Sequence, residues 1–163
     1  MCCRQAQRRM SKLCRCYTAF GEIKMIKEFQ GSKRWLSNFT PCWVFLDGVA
    51  YPSTENAYQA AKTVVKNERK PFVGMTAGQA KRAGKKVTIR DDWDEVKLEV
   101  MEDLTRQKYT QEPFKSKLLG TGDREIQEGN RWGDTFWGIC NGRGSNHLGV
   151  IIMKIRSELR EAV

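Results

Sequence analysis

Histidine is nearly absent. His147 is the only one in 163 residues, and it stands at the start of the last expected helix, where we read it as part of that helix. A histidine-based triad has no other imidazole to draw on, so acid–base chemistry must rest on carboxylates and lysines. Long hydrophobic runs are missing too. Nothing approaches the roughly 18 consecutive apolar residues of a membrane span, and the first 20 residues lack the continuous apolar stretch of a secretory signal. These absences lead us to expect a soluble, cytoplasmic protein with no membrane partner. Cysteine is scarce where a fold would form: four of six (Cys2, Cys3, Cys14, Cys16) fall in the first 16 residues, and Cys42 and Cys140 stand alone. The Cys-Cys-x10-Cys-x-Cys pattern matches no familiar zinc spacing, so no metal site or cofactor is expected and the thiols suit a reducing compartment.

What is present is globular. Hydrophobic residues make up 40% and charged residues 29%, outside the disordered range. A chain of this length buries enough surface to fold without a disulfide or metal. The net charge of +10 comes from 29 Lys+Arg against 19 Asp+Glu. Residues 1–24 hold six bases and one acid, so half the excess lies in a short stretch. We therefore expect residues 1–22 to be a basic, cysteine-containing, flexible leader and residues 23–163 to be one domain. A moderately basic domain favours anionic ligands such as phosphates or nucleic acid.

From residue 23 the pattern is structured. Residues 23–29 read as a strand. Residues 42–51 read as a hairpin, with Asp47-Gly48 as its two-residue turn. Ser53 can cap a helix in which Ala57, Ala60, Ala61, Val64 and Val65 recur on one face. Thr76 to Gln79 has the capping-box spacing of a short helix that Gly84 ends. Asp92 opens the longest helical stretch, to about Tyr109; Pro113 can sit in the first turn of another, closed by Gly120. A turn-rich segment, 120–146, precedes a last helix over about 147–161. Several helices beside a small antiparallel sheet make a helix-rich α+β domain.

Two constellations could carry chemistry. On the helix after Ser53, Glu55, Gln59, Lys62 and Lys66 form one stripe opposite the alanine-valine face. A carboxylate and an amine over one pocket can divide acid, base and nucleophile roles; the plain alternative is a solvated face, with Glu55 favoured there by the helix dipole. The second is the glycine- and tryptophan-rich run 132–138, followed by Asn141 to Asn146. Exposed N–H groups leading into a helix suit a phosphate, with Arg143 as a forked donor, and tryptophans can stack on a base. The plain alternative is a long connection whose glycines make turns.

Ser37-Asn38-Phe39 and the run from Tyr51-Pro52-Ser53-Thr54-Glu55 to Lys62 resemble the opening of the NADAR superfamily, the YbiA-like N-glycosidases. Asp92-Trp93-Asp94 with Met101, and Leu119 to Asp123 with Glu128, resemble its middle blocks. Asp134-Thr135-Phe136-Trp137-Gly138 and Gly144-Ser145-Asn146-His147-Leu148-Gly149 resemble its closing blocks. The resemblance runs in order over roughly residues 26–159. It implies hydrolysis of a C–N bond between ribose and a nitrogen base: a riboflavin-pathway ribosylamine, or ADP-ribose on guanine in nucleic acid. Glu55 can then stabilise charge at C1′ or activate water, or Lys62 can attack C1′ through a Schiff base, and Asp134 is the second carboxylate. Trp93 and Trp137 are candidate stacking walls; Asn38, Phe39, Gln59, Gly138, Arg143 and Asn146 are candidate contacts. The expected partner is a phosphorylated ribosyl or ADP-ribosyl substrate, including ADP-ribosylated nucleic acid. A non-hydrolytic module binding ADP-ribose or a related nucleotide remains the alternative from another class.

Overall fold

The structure is a computed structural model that describes residues 25–162. The basic cysteine-containing stretch and the first two residues of the expected 23–29 strand lie outside the described residues. A hairpin, β1 (Pro41–Leu46) and β2 (Val49–Ser53), pairs antiparallel with Leu46 opposite Val49. Both turn residues have positive φ, 50° at Asp47 and 76° at Gly48, which is why aspartate and glycine occur there. Alternation buries Cys42, Val44 and Tyr51 while Trp43 and Phe45 face outward.

α1 (Thr54–Ala61) begins where Ser53 accepts the Asn56 N–H, as capping chemistry requires. Every residue of α1 is buried, because it packs on α3 (Ala77–Ala83), α4 (Trp93–Tyr109) and both hairpin strands. The sequence reading carried this helix on to Lys66; it stops at Ala61, and Val64 and Val65 are exposed. The reason is local. The Thr63 hydroxyl accepts the Val65 N–H, and the Lys62 carbonyl accepts from Arg90 N–H at 2.8 Å rather than from the next turn. Side-chain capping of this kind competes with helix continuation. Lys66 instead starts a four-residue helix, α2 (Lys66–Arg69).

α3 carries the expected capping box between Thr76 and Gln79. α4 buries Trp93, Met101, Leu104 and Tyr109 along one face and packs on the last helix, α6 (His147–Glu161). α5 (Phe114–Leu119) follows Pro113 and packs between them. The turn-rich segment holds a short parallel pair, β3 (Gly129–Asn130) and β4 (Ile139–Cys140). The 23–29 strand shrinks to one parallel bridge, Ile26 with Ile126. The helix-rich α+β architecture with a small antiparallel sheet is as the sequence implies. Among the described residues, no helix is long and apolar enough to cross a membrane.

Three buried polar groups hold the segments around α1. Asn56 donates to the Phe72 and Met75 carbonyls at 2.8 and 2.7 Å, fixing the approach to α3. Lys108 donates to the Ser37 carbonyl at 2.8 Å, fixing the turn that presents Asn38 and Phe39. Asn146, at φ 51°, donates to the Ile126 carbonyl and accepts the Glu128 N–H at 3.0 Å.

Candidate active site

The stripe from Glu55 to Lys62 is not a solvated face, although Lys66 beyond it is exposed. Glu55 is 7% exposed and Gln59 5%, and both open onto a cavity of about 190 Å³ that also reaches Asn38, Lys62, Asp134 and Trp137. Six of the eleven residues expected at the site thus meet at one place. The Glu55 backbone N–H bonds to the Asn38 carbonyl at 3.1 Å, so the first turn of α1 and the Asn38 loop move as one. Gln59 donates to the Glu55 carboxylate at 2.8 Å, an i,i+4 pair on one helix face. A second cavity of about 480 Å³ shares Asn38, Glu55, Lys81 and Glu128 with the first and adds Arg34, Phe39 and Trp132. Lys81 Nζ lies 5.7 Å from the Phe39 ring and 5.4 Å from the Trp132 ring.

Burial dominates the electrostatics. It pushes the Glu55 carboxyl above its ordinary value, with Asp134 adding to the rise; the Gln59 hydrogen bond, Lys81 and Lys62 oppose it. It pushes the Lys62 amine below its ordinary value, helped by Lys81 and Lys85 and opposed by Glu55. A carboxylate made more basic and an amine made easier to deprotonate are the states that water activation and amine attack require.

Four expected contacts do not reach the cavity. Trp93 packs behind Tyr58, with ring centroids 5.1 Å apart; Tyr58 in turn meets Trp137 edge-on at 5.5 Å. Gly138 is buried against Glu128, where an added Cβ would lie 2.1 Å from the Glu128 carbonyl oxygen and 2.5 Å from Oε2. Asn146 spends its amide on the backbone. Arg143 stands exposed in a tight turn closed by Cys140. Nor is the approach to α6 open to a phosphate: the N–H groups of Ser145, His147 and Leu148 bond to the carbonyls of Thr135, Phe136 and Trp137. These three donors dock the 134–137 turn instead. His147 faces a separate groove between α4 and α6, beside Glu102, Arg106 and Val150.

The NADAR domain model matches residues 24–160. The chain belongs to the NADAR family. It is 39% identical over 132 residues to a riboflavin biosynthesis protein of Vibrio vulnificus, covering 78% of this chain but 36% of that protein. An N-glycosidase of Nostoc punctiforme is 34% identical, with 76% and 84% of the two chains covered. N-glycosidase YbiA of Escherichia coli is 30% identical, with 76% and 79% covered. The solution structure of E. coli YbiA superposes with a TM-score of 0.74 at 27% identity, over 85% of this chain and 86% of that one.

Within this NADAR domain, the sequence reading did not single out Tyr58, Lys81 or Glu128 as site residues, whereas Trp132 opens the tryptophan-rich run it marked for stacking. Tyr58 lies three residues after Glu55, one helical turn away, and that spacing could have found it. Lys81 sits on a separate short helix, and Glu128 in a segment without periodicity. Only the tertiary fold brings them to the cavity.

Proposed function

We propose that this chain is an N-glycosidase that hydrolyses the C–N bond between a ribose and a nitrogen base of a phosphorylated ribosyl or ADP-ribosyl substrate. The observation that carries the reading is the burial of Glu55 beside Lys62 in one cavity wall. Names given to the Nostoc and E. coli relatives support the reaction class. As the C1′–N bond weakens, positive charge grows at C1′. The Glu55 carboxylate stabilises that charge and activates the incoming water. In the lysine route, Lys62 attacks C1′ as a neutral amine and water later releases the sugar. Asn38 and Gln59 orient the ribose, and Trp137 closes the wall behind it.

The adjoining cavity extends the substrate beyond ribose: Lys81 supplies a cation for phosphate, flanked by the Phe39 and Trp132 rings on which a base can stack. That combination favours an ADP-ribosyl conjugate, including ADP-ribosylated guanine in nucleic acid. A ribosylamine of riboflavin synthesis is the second reading, favoured by the name of the Vibrio relative. Cys42 and Cys140 are free and buried, which fits a reducing compartment, and we take the cytoplasm as its place. Incubation with ADP-ribosylated DNA and with a ribosylamino-pyrimidine phosphate, following the released sugar by mass spectrometry, tests the reading. Release from one of them supports it. Intact, bound substrate in both cases would show a non-hydrolytic binding module instead.

A further inference from the structure

Departure of a nitrogen base needs a proton as well as a stabilised C1′. Asp134 was the sequence-based choice of donor, but its Oδ1 accepts N–H groups from Phe136 at 3.1 Å and Trp137 at 2.9 Å. One of its two oxygens is thus engaged in holding its own turn. Glu128 differs in each respect. It lines both cavities, and its Oε2 is buried without a hydrogen-bond partner among the described residues. Its backbone is fixed on both sides: Asn146 Oδ1 accepts its N–H at 3.0 Å, and its carbonyl accepts the Ile139 N–H at 2.9 Å. Gly138 makes room for the carboxyl, since a side chain there would collide with Oε2. The fold thus seats a carboxyl group with a buried, unpartnered oxygen in the wall shared by both cavities.

We propose that Glu128 is the general acid of this site, giving its carboxyl proton to the departing base. The assignment rests on the N-glycosidase reading above. In the step, the electron pair of the C1′–N bond goes to the base nitrogen, which takes the Glu128 proton. Water adds to C1′ and releases a proton to Glu55; Glu55 then gives that proton to solvent and Glu128 regains its own from solvent. The groups facing Glu128 suit the role. Burial and the charges of Asp134 and Glu55 push its carboxyl up to about 7, with Lys81 opposing; Lys62 faces the same cavity from the end of α1. At neutral pH a large share of molecules therefore carries the proton, near the optimum for a donor working at that pH.

The test compares wild type with Glu128→Gln on two kinds of substrate. One is the ribosylamino-pyrimidine phosphate or ADP-ribosylated DNA, according to which the wild type cleaves. The other is 4-nitrophenyl riboside 5-phosphate, whose leaving group departs without a proton. The expected result is a kcat loss on the order of 100-fold or more on the first, the range for a lost general acid. On the second the rate should stay within about threefold. The wild-type kcat should also fall above pH 7, and this alkaline limb should vanish in the variant. An equal loss on both substrates, an unchanged rate on the first, or an alkaline limb that persists in the variant would overturn the assignment while leaving the N-glycosidase reading in place. Wild-type protein inert on every substrate overturns that reading, and the assignment with it.

Discussion

Replacing Glu128 by Gln should change how stability depends on pH, whatever it does to turnover. A carboxyl at about 7 in the fold, against an ordinary 4.5, corresponds to a cost of about 3 kcal/mol for holding the ionised group in place. The folded chain binds this proton more tightly than the unfolded chain. The contribution of Glu128 to wild-type stability should therefore fall as pH rises from about 4.5 to about 7, then level off. Gln keeps the side-chain size and polarity but has no charge to bury, so the variant escapes that fall. Urea denaturation at pH 4 and pH 8 reads the difference. Relative to wild type, the variant should gain about 3 kcal/mol between the two pH values, or roughly 6–12 °C in melting temperature. A constant offset between the two proteins from pH 4 to pH 8 would refute the reasoning. It would mean that Glu128 ionises as readily in the fold as outside it.

Glu55→Gln should nearly abolish hydrolysis with the circular dichroism spectrum unchanged, and so should Lys62→Ala where the amine is the nucleophile. Borohydride added during turnover should trap a sugar adduct on Lys62 only if the amine attacks C1′; with no adduct, Lys62→Ala should mainly raise KM. Arg143→Ala should leave both kcat and KM within about twofold, because the guanidinium stands on an exposed turn outside the cavities; a KM rise of tenfold, about 1.4 kcal/mol, would restore a phosphate role. Asn56→Ala leaves two buried carbonyls without their donor and should cost roughly 2–4 kcal/mol in urea denaturation.

How much of this was legible from the residues depends on how local each signal is. The hairpin could be read because Asp47-Gly48 alone dictates the turn, and the α1 and α3 starts because Ser53 and Thr76 cap within three residues. The end of α1 could not. It is set by the Thr63 hydroxyl and by Arg90, 28 residues further along the chain, and alanine periodicity carries no trace of either. The first strand failed for the same reason: its partner is Ile126, a hundred residues away. At the site, Glu55 and Lys62 were visible because one helix brings them to a common face. Asn146 and Gly138 stand out in the sequence as candidate contacts, and in the fold they pack against the Glu128 segment instead of lining the cavity. Their conformational and hydrogen-bonding demands are structural, and both are spent on seating Glu128.

That last pattern bears on how the cavity divides its labour. Three carboxylates and two lysines share a small volume, and burial acts on the two kinds of group in opposite directions. It raises Glu55 and Glu128 and lowers Lys62, so their proton affinities move toward one another. The hydrogen bonds then separate the carboxylates. Glu55 accepts from Gln59 and sits in the first turn of α1, where the helix dipole favours its charge; Asp134 accepts from two backbone N–H groups. Each of these two thus has a hydrogen-bond donor on its carboxylate. Glu128 has neither a donor nor a helix terminus, and it feels the negative charge of the other two. Of the three it is the one with a buried oxygen left without a hydrogen-bond donor among the described residues, which is why the proposed division of labour gives the base side of the reaction to Glu55 and the acid side to Glu128.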